Sequence, residues 1–338
     1  MSNAQVNAKK QIEKKIENKG YVFCNLSCSV CENNNFEIIA EKDGYGIYCP
    51  VVICKNCGLV QQNPKMSQES YNELYEKEYR DLYDGESDDG AAENYFFYQH
   101  MRGKDIFDYI VNNEGKSFCG KRVLEIGCGA GGILKYFQEQ GNEVFGIDPA
   151  PDYVKCGSEH GLSLEVATLQ TAKIPWKPDL VIYNNVMEHL INPVTELKQL
   201  STLINKDTLL YIGVPNLKSI NKNYGSDLLK FIEIAHTFYF TLVTLQNVLS
   251  VAGYSFLRGI EGMGIRAIFM PTVQSNNKEV IKNDYEQTVL FLKNAEKYRF
   301  FPTPTKIIFW AKRLFVVFLK KTGLFHWFFQ KIYRKTTN

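Results

Sequence analysis

Val123-Leu124-Glu125-Ile126-Gly127-Cys128-Gly129-Ala130-Gly131-Gly132 is the stretch that decides how this chain folds. A short apolar strand, Arg122–Ile126, runs into four glycines within six positions, and the amphipathic segment Ile133–Gln140 follows at once. Glycines there let the backbone turn sharply and approach a ligand with no Cβ in the way. Two acids frame the turn. Glu125 stands two residues before the first glycine, and Asp148 follows the next strand, Glu143–Ile147, twenty-one residues after Gly127. In an open α/β sheet an acid at that second position meets a ribose diol. Taken alone, a Gly-x-Gly is only a tight strand-to-helix turn; the flanking acids make this one specific.

Outward from this turn, short apolar strands alternate with helix-length amphipathic segments from Cys119 to about Pro271. Leu164–Ala167, Leu180–Tyr183 and Leu209–Val214 come next, and late strands fall at Ser255–Glu261 and Arg266–Met270. That alternation belongs to a doubly wound parallel sheet covered on both faces.

A dinucleotide fingerprint uses such glycines to support a pyrophosphate at a helix N-terminus. Glu125 suits a cationic amino group instead. The stretch resembles motif I of class I S-adenosylmethionine-dependent methyltransferases, and the resemblance extends through Asp148 to Val214. It implies a Rossmann-like seven-stranded sheet whose last strands form an antiparallel edge pair. It also implies S-adenosylmethionine as cofactor. Gly127 and Gly129 would then abut its methionine and ribose, with Glu125 near the methionine amino group and Asp148 on the ribose hydroxyls. Thr168 and Leu169 would flank the adenine, and Asn184 would line the methionine side. The turn Tyr183-Asn184-Asn185-Val186-Met187-Glu188-His189-Leu190 carries the family's common Glu-His pair as Glu188 and His189. Two readings of His189 stay open, a substrate contact or a residue that fixes the turn.

Cys28-x-x-Cys31 and Cys54-x-x-Cys57 form two knuckles separated by a hairpin-length segment. Two such turns bring four thiolates into a tetrahedral zinc site, and with no open position the zinc is structural. Cys24 and Cys49 flank the quartet and read as small buried hydrophobes. A zinc ribbon ahead of a class I domain resembles bacterial sugar methyltransferases of glycan and deoxysugar pathways, as does the Tyr-rich segment Tyr71–Tyr83. Some ribosomal-RNA methyltransferases also carry such a module. Two features favour sugar over RNA: the chain lacks an Asn-Pro-Pro-aromatic turn for flipped bases, and a net charge of +2 gives no counterion-release drive. The deoxysugar C-methyltransferases have a further α/β domain where this chain has helix-like sequence, which favours O-methylation. C-methylation of a nucleotide-linked deoxysugar, RNA methylation and a non-catalytic cofactor-binding scaffold remain as alternatives.

A sugar hydroxyl must lose its proton, and a positioned His is the commonest agent. His236 lies in Phe231-Ile232-Glu233-Ile234-Ala235-His236-Thr237-Phe238-Tyr239-Phe240, after the fifth strand, and resembles the family's Ala-His-x-x-x-Phe stretch. It is the candidate general base, with Glu233 or Tyr239 as its orienting partner. The alternative is a His held structurally between two helices. Tyr79 and Tyr83 read either as a cover from the preceding helices or as core.

Five zones result: a polar tail (1–20), the zinc ribbon (21–64), a helical linker or lid (65–118), the cofactor-binding domain (119–271) and a C-terminal helical extension (272–338). The first zone lacks the apolar core of a signal peptide, and no apolar run is long enough to span a bilayer. Both point to a reducing cytoplasm, where paired Cys-x-x-Cys units bind metal more often than they form disulfides. In the last zone Ile307, Trp310, Ala311, Leu314 and Phe318 recur at helical spacing with Lys312, Arg313 and Lys320 roughly opposite. Such a helix either lies in a membrane interface, a peripheral contact at the inner face, or packs on the core or a homodimer partner.

Overall fold

The alternation of strands and helices after residue 121 resolves, in a computed structural model, into one seven-stranded sheet. The structure describes residues 1–83, 90–111, 118–272 and 281–300, with 307, 311, 314, 315, 318 and 322.

The chain opens on helix α1 (Asn3–Glu17), started by a capping box between Ser2 and Gln5. The segment expected as a polar tail is therefore a helix, and it packs: Ala8 and Ile12 are buried beside Ile47, Leu74 and Leu82. The ribbon follows, with β1 (Phe23–Cys24), β2 (Phe36–Lys42), β3 (Tyr48–Cys54), β4 (Val60–Gln62) and β5 (Lys65–Met66). The expected hairpin between the knuckles is the antiparallel pair β2–β3. Helices α2 (Gln68–Lys77), α3 (Tyr79–Tyr83) and α4 (Ala91–Val111) make up the linker zone.

The sheet domain runs β6 (Arg122–Ile126), α5 (Gly132–Glu139), β7 (Glu143–Asp148), α6 (Pro151–Glu159), β8 (Leu164–Val166), β9 (Leu180–Asn184), α7 (Pro193–Leu203) and β10 (Leu209–Pro215). After it come α8 (Ile220–Asn223), β11 (Phe238–Tyr239), α9 (Leu242–Val251), β12 (Tyr254–Glu261), β13 (Gly264–Pro271) and α10 (Tyr285–Lys297). The order across the sheet is β12-β13-β10-β9-β6-β7-β8. The five strands from β8 to β10 are parallel, while β13 pairs antiparallel with both β10 and β12. β9, covered on both faces, is buried along its whole length, as a central parallel strand requires. Strand order reverses between β6 and β9. An open α/β sheet binds its ligand in the crevice at such a reversal, beyond the carboxyl ends of the strands.

β11 does not join this sheet. It becomes the edge of the ribbon's own sheet, ordered β11-β4-β3-β2, through Phe238 opposite Gln61 and Tyr239 opposite Val60. The ribbon thus shares a sheet with the segment that carries His236. Helix α10 packs on the ribbon's other side: Asp284 N donates to Cys57 O at 3.2 Å, and a Cβ on Gly58 would stand 2.6 Å from the Asp284–Tyr285 backbone. No described helix is long and apolar enough to cross a membrane. Of the proposed basic aromatic helix, Ile307, Ala311, Leu314 and Phe318 are helical and exposed, while Trp310, Lys312, Arg313 and Lys320 lie outside the described residues.

Candidate active site

At the switch point the glycine turn takes the conformation that the sequence demands. Gly127, Gly129 and Gly131 have φ of 70°, 54° and 74°, in the left-handed region that glycine enters freely. Close packing adds a second reason at Gly132, where a Cβ would stand 2.1 Å from the Phe96 carbonyl oxygen. Helix α4 therefore lies directly against the start of α5.

Glu125 ends up beneath this turn, 2% exposed. Its Oε2 is buried with no partner among the described residues. Burial drives its pKa well above the ordinary value, the nearby Asp148 adds to that, and Arg102 opposes it. Asp148 is arranged differently. Its Oδ2 accepts from Gly129 N and its Oδ1 from Ala150 N, both at 2.8 Å, which leaves each oxygen a further lone pair. Burial raises its pKa, and those two N–H groups partly offset the effect.

Across the crevice, Asn184 closes β9. Its Oδ1 accepts from Arg102 Nη2 at 3.4 Å, and its buried Nδ2 has no partner among the described residues. The next residue, Asn185, has φ of 57°, a strained conformation for a non-glycine, and its amide donates to Gly213 O at 2.8 Å. Gln99 contributes another buried, unpartnered acceptor, Oε1. A zwitterionic amino acid head fits this set of orphans, with its ammonium toward Glu125 Oε2 and Gln99 Oε1 and its carboxylate toward Asn184 Nδ2 and Arg102. These residues can hold the methionine end of S-adenosylmethionine, and Asp148 can hold its ribose. Thr168 lies exposed just past β8, while the Leu169 side chain is buried in the core with Ile147 and Val181. Of those two adenine-side candidates, only Thr168 presents its side chain at the surface.

Tyr95, Gln99 and Arg102 were not singled out from the sequence. A Cβ on Gly129 would meet the Tyr95 ring at 2.6 Å, so this ring lies over the turn. Their spacing at 95, 99 and 102 is one face of a helix, and that periodicity was the available signal.

Deeper along the crevice, two histidines meet, with the His189 and His236 rings 4.7 Å apart and edge to face. Glu233 comes within 3.5 Å of His236 Nε2, and His236 Nδ1 is buried with no partner among the described residues. Burial lowers the His236 pKa to about 4 and raises that of Glu233 to about 7. His189 is held well below its ordinary value by burial and then by His236, so both imidazoles are neutral at pH 7. Tyr239 does not reach the His236 ring polar atoms in any hydrogen bond that the geometry supports. Its hydroxyl donates to Glu233 O at 3.0 Å and accepts from Glu233 N at 3.3 Å, bracing that backbone instead.

Helices α2 and α3 wall this region with tyrosines. Tyr75 and Tyr79 stack at 4.2 Å, and both lie edge-on to His189. The Tyr83 hydroxyl accepts from Ile234 N at 3.0 Å. From the ribbon, Gln62 Nε2 donates to Ile234 O at 2.9 Å and His236 O at 2.8 Å, and the buried Lys65 donates to Ile191 O at 3.2 Å. Sequence reading missed both, because nothing local marks a ribbon strand as the partner of segments 126 to 174 residues away.

In the ribbon itself, Cys28, Cys31, Cys54 and Cys57 bring their sulfurs within 4.8 Å of one another. The Cys28–Cys57 and Cys31–Cys54 pairs are both 3.4 Å apart. Bonds of ~2.3 Å in a tetrahedron set sulfurs roughly 3.8 Å apart, so the quartet fits zinc with little adjustment. Cys24 is exposed, and Cys49 is buried against Gln62 Nε2 at 3.3 Å, away from the quartet.

Residues 98–258 match the family model described as a methyltransferase domain. This chain carries a class I methyltransferase domain. Curated relatives of that domain include the ubiquinone biosynthesis O-methyltransferase of Aeromonas salmonicida, 28% identical over 133 residues, which are 37% of this chain and 53% of that one. The corresponding protein of Glaesserella parasuis is 29% identical over 118 residues, 31% of this chain and 50% of its own. The chain thus spans about half the length of these relatives. Among solved structures, the plantazolicin methyltransferase in complex with SAH is similar at 16% identity and a TM-score of 0.46, covering 61% of this chain and 98% of that one. The Burkholderia thailandensis 1,6-didemethyltoxoflavin-N1-methyltransferase is similar at 15% identity and a TM-score of 0.45, covering 70% and 99%. The match to the methyltransferase domain begins within α4, so the helix bearing Arg102 belongs to it.

Proposed function

We propose that this chain transfers a methyl group from S-adenosylmethionine to a hydroxyl of a saccharide or sugar-linked intermediate in glycan biosynthesis. The observation that carries the reading is the pairing of two sites at one switch point. Orphaned Glu125 Oε2 and Asn184 Nδ2 stand on the cofactor side, and a neutral, unpartnered His236 Nδ1 stands on the acceptor side. When bound, the cofactor supplies an already activated sulfonium methyl, so the protein's task is alignment and removal of one proton. Glu233 holds His236 Nε2–H, which leaves Nδ1 as the lone pair that takes the hydroxyl proton. Burial, by lowering the His236 pKa, keeps that lone pair available at neutral pH.

The oxygen acceptor agrees with the printed names of the curated relatives, which are O-methyltransferases. The saccharide rests on the cysteine quartet ahead of the domain and on the tyrosine wall, since aromatic faces and phenolic hydroxyls suit a polar ring. The quartet is proposed to hold one structural zinc. Incubation with methyl-labelled S-adenosylmethionine and a panel of saccharides, sugar nucleotides and bulk RNA tests the reading. Label in a base-stable sugar ether supports it. Label confined to RNA, or to a sugar carbon, overturns it.

A further inference from the structure

We propose that Glu93, Cys156 and His160 form a zinc-class metal site, apart from the cysteine quartet, that clasps helix α4 to α6 beside the glycine turn. One ligand atom from each lies within 4.8 Å of the other two. Cys156 and His160 stand four positions apart at the C-terminal end of α6, and so face the same way. Glu93 comes from the first turn of α4.

The spacing of these atoms already suits an ion. Glu93 Oε2 is 3.4 Å from Cys156 Sγ and 3.0 Å from His160 Nε2. Bonds of ~2.3 Å to sulfur and ~2.0 Å to nitrogen and oxygen in a tetrahedron put those edges at roughly 3.5 and 3.3 Å. The His160 ring is held in place by Phe96, stacked on it with centroids 3.8 Å apart and planes 7° from parallel. Neither helix has room to slide. A Cβ on Gly157 of α6 would stand 2.4 Å from the Ala130 carbonyl oxygen, as one on Gly132 would from the Phe96 carbonyl oxygen at 2.1 Å. Packing, rather than the ion, thus brings the three donors together.

Burial raises the Cys156 pKa to about 12, and Glu93 adds to that, so without an ion the side chain is a thiol and a poor nucleophile. On binding, the thiol proton leaves to solvent and the sulfur becomes a thiolate ligand. The imidazole binds through Nε2 and carries its one N–H on Nδ1. One thiolate, one imidazole and one carboxylate suit Zn²⁺ or Co²⁺ better than Mg²⁺ or Ca²⁺. Glu93 and His160 are only half-buried, so the fourth position opens to solvent and takes a water. Two residues beyond Glu93 stands Tyr95, whose ring lies over Gly129 and meets Tyr153 of α6 edge-on at 5.3 Å. An ion at the clasp therefore holds this cover on the cofactor turn and slows exchange of the spent cofactor. That consequence rests on the cofactor reading given above; the ion site does not.

The test is titration of full-length protein, its quartet loaded with zinc, with Co²⁺, followed by thiolate-to-cobalt charge-transfer absorption. One further ion per chain is expected. Loss of even an outer partner of a metal ligand costs about 10–100-fold in affinity, so Glu93→Gln and His160→Gln should each weaken binding by roughly tenfold or more. Cys156→Ser should abolish the charge-transfer band, and Cys119→Ser should bind as wild type. Thermal melting confirms that the variants fold, and the two half-buried positions keep the test decisive if Cys156→Ser does not. No further ion, or an undiminished band in Cys156→Ser, which would place the cobalt in the quartet, overturns the site. Release of S-adenosylhomocysteine, followed by stopped flow, should slow severalfold when Co²⁺ is added to wild type but not to Cys156→Ser; an unchanged rate in wild type overturns the clasp. Failure to bind that ligand at all strikes the methyltransferase proposal, whereas absent cobalt binding with intact ligand binding strikes only the metal site.

Discussion

Glu125 gives the sharpest test of the cofactor side, because its protonation should change when ligand binds. Its pKa is raised well above the ordinary carboxylate value, chiefly by burial, so the ligand-free protein favours the protonated residue more than water does. A group with a raised pKa is neutral below that pKa and charged above it. Docking an ammonium beside Oε2 favours the charged form and so expels the proton. Binding of S-adenosylhomocysteine, which has the same amino acid head, should therefore release up to one proton per site. Affinity should fall as pH drops, by up to tenfold per unit while the linkage holds. Glu125→Gln keeps the shape and removes the charge. Losing one ammonium–carboxylate hydrogen bond, about 1.5–3 kcal/mol, should weaken binding on the order of 10- to 150-fold. Calorimetry in phosphate and in Tris at pH 7 measures both effects, since the apparent enthalpy differs between buffers only when protons move. A clear buffer dependence is expected in the wild type and a much smaller one in Glu125→Gln. Asp148 should supply less of that signal, because a ribose diol brings hydrogen bonds but no charge, and its share would persist in Glu125→Gln. Buffer-independent enthalpy in the wild type with unchanged affinity in the variant would remove Glu125 from the methionine site.

Three further outcomes follow from the same geometry. Asp148→Ala should weaken S-adenosylhomocysteine by about 2–4 kcal/mol, because hydroxyl contacts and the anchor of Gly129 N are both lost; unchanged affinity by calorimetry would take Asp148 off the ribose. Cys54→Ser/Cys57→Ser should lose one zinc per chain by metal analysis and lose amide exchange protection across 233–240, while retaining cofactor affinity; full zinc retention would implicate Cys24 or Cys49. His236→Ala should lower turnover roughly 10²–10⁴-fold with cofactor affinity intact, and near-normal turnover would reduce it to a packing residue.

Motif-borne parts of the site were legible before any coordinates, because their chemistry is local. A glycine turn has to follow its strand, and Asp148 has to end the next one, so Glu125, Gly127, Gly129 and Asp148 converge by backbone connectivity alone. The cysteine quartet is likewise set by two tight turns. The Arg122–Ile126 strand and the antiparallel edge pair emerged as read. What escaped depends on tertiary docking. Residues 1–20 look polar because only Ala8 and Ile12 face inward among many lysines and glutamates, yet that narrow stripe is enough to seat α1. Arg102 and Gln99 read as ordinary helix residues until α4 is laid across Gly132. At Leu169 the side chain turns into the core beside Ile147 and Val181, an orientation that its place just after β8 does not reveal.

The sheet shared by the cysteine ribbon and the His236 segment ties the four-cysteine module to the proposed chemistry. Transfer from a sulfonium needs the acceptor atom in line, and small misplacements at such a centre cost rate steeply. A ten-residue connection such as Phe231–Phe240 has little regular structure of its own to hold a histidine still. Here β11 takes two ladder positions beside β4, and Gln62 pins the carbonyls of Ile234 and His236. Thr237 adds a third tie, its hydroxyl donating to Leu190 O at 2.6 Å and joining this segment to the turn that carries His189. β4 begins three residues after Cys57, so a zinc held by the quartet would order the second knuckle and with it the register of the strand on which the His236 segment rests. The cofactor side needs no such brace, because Glu125 and Asp148 sit at the ends of strands inside the main sheet. Zinc removal should therefore act on turnover and leave cofactor affinity alone, an asymmetry that a merely adjacent, independently folding ribbon would not produce.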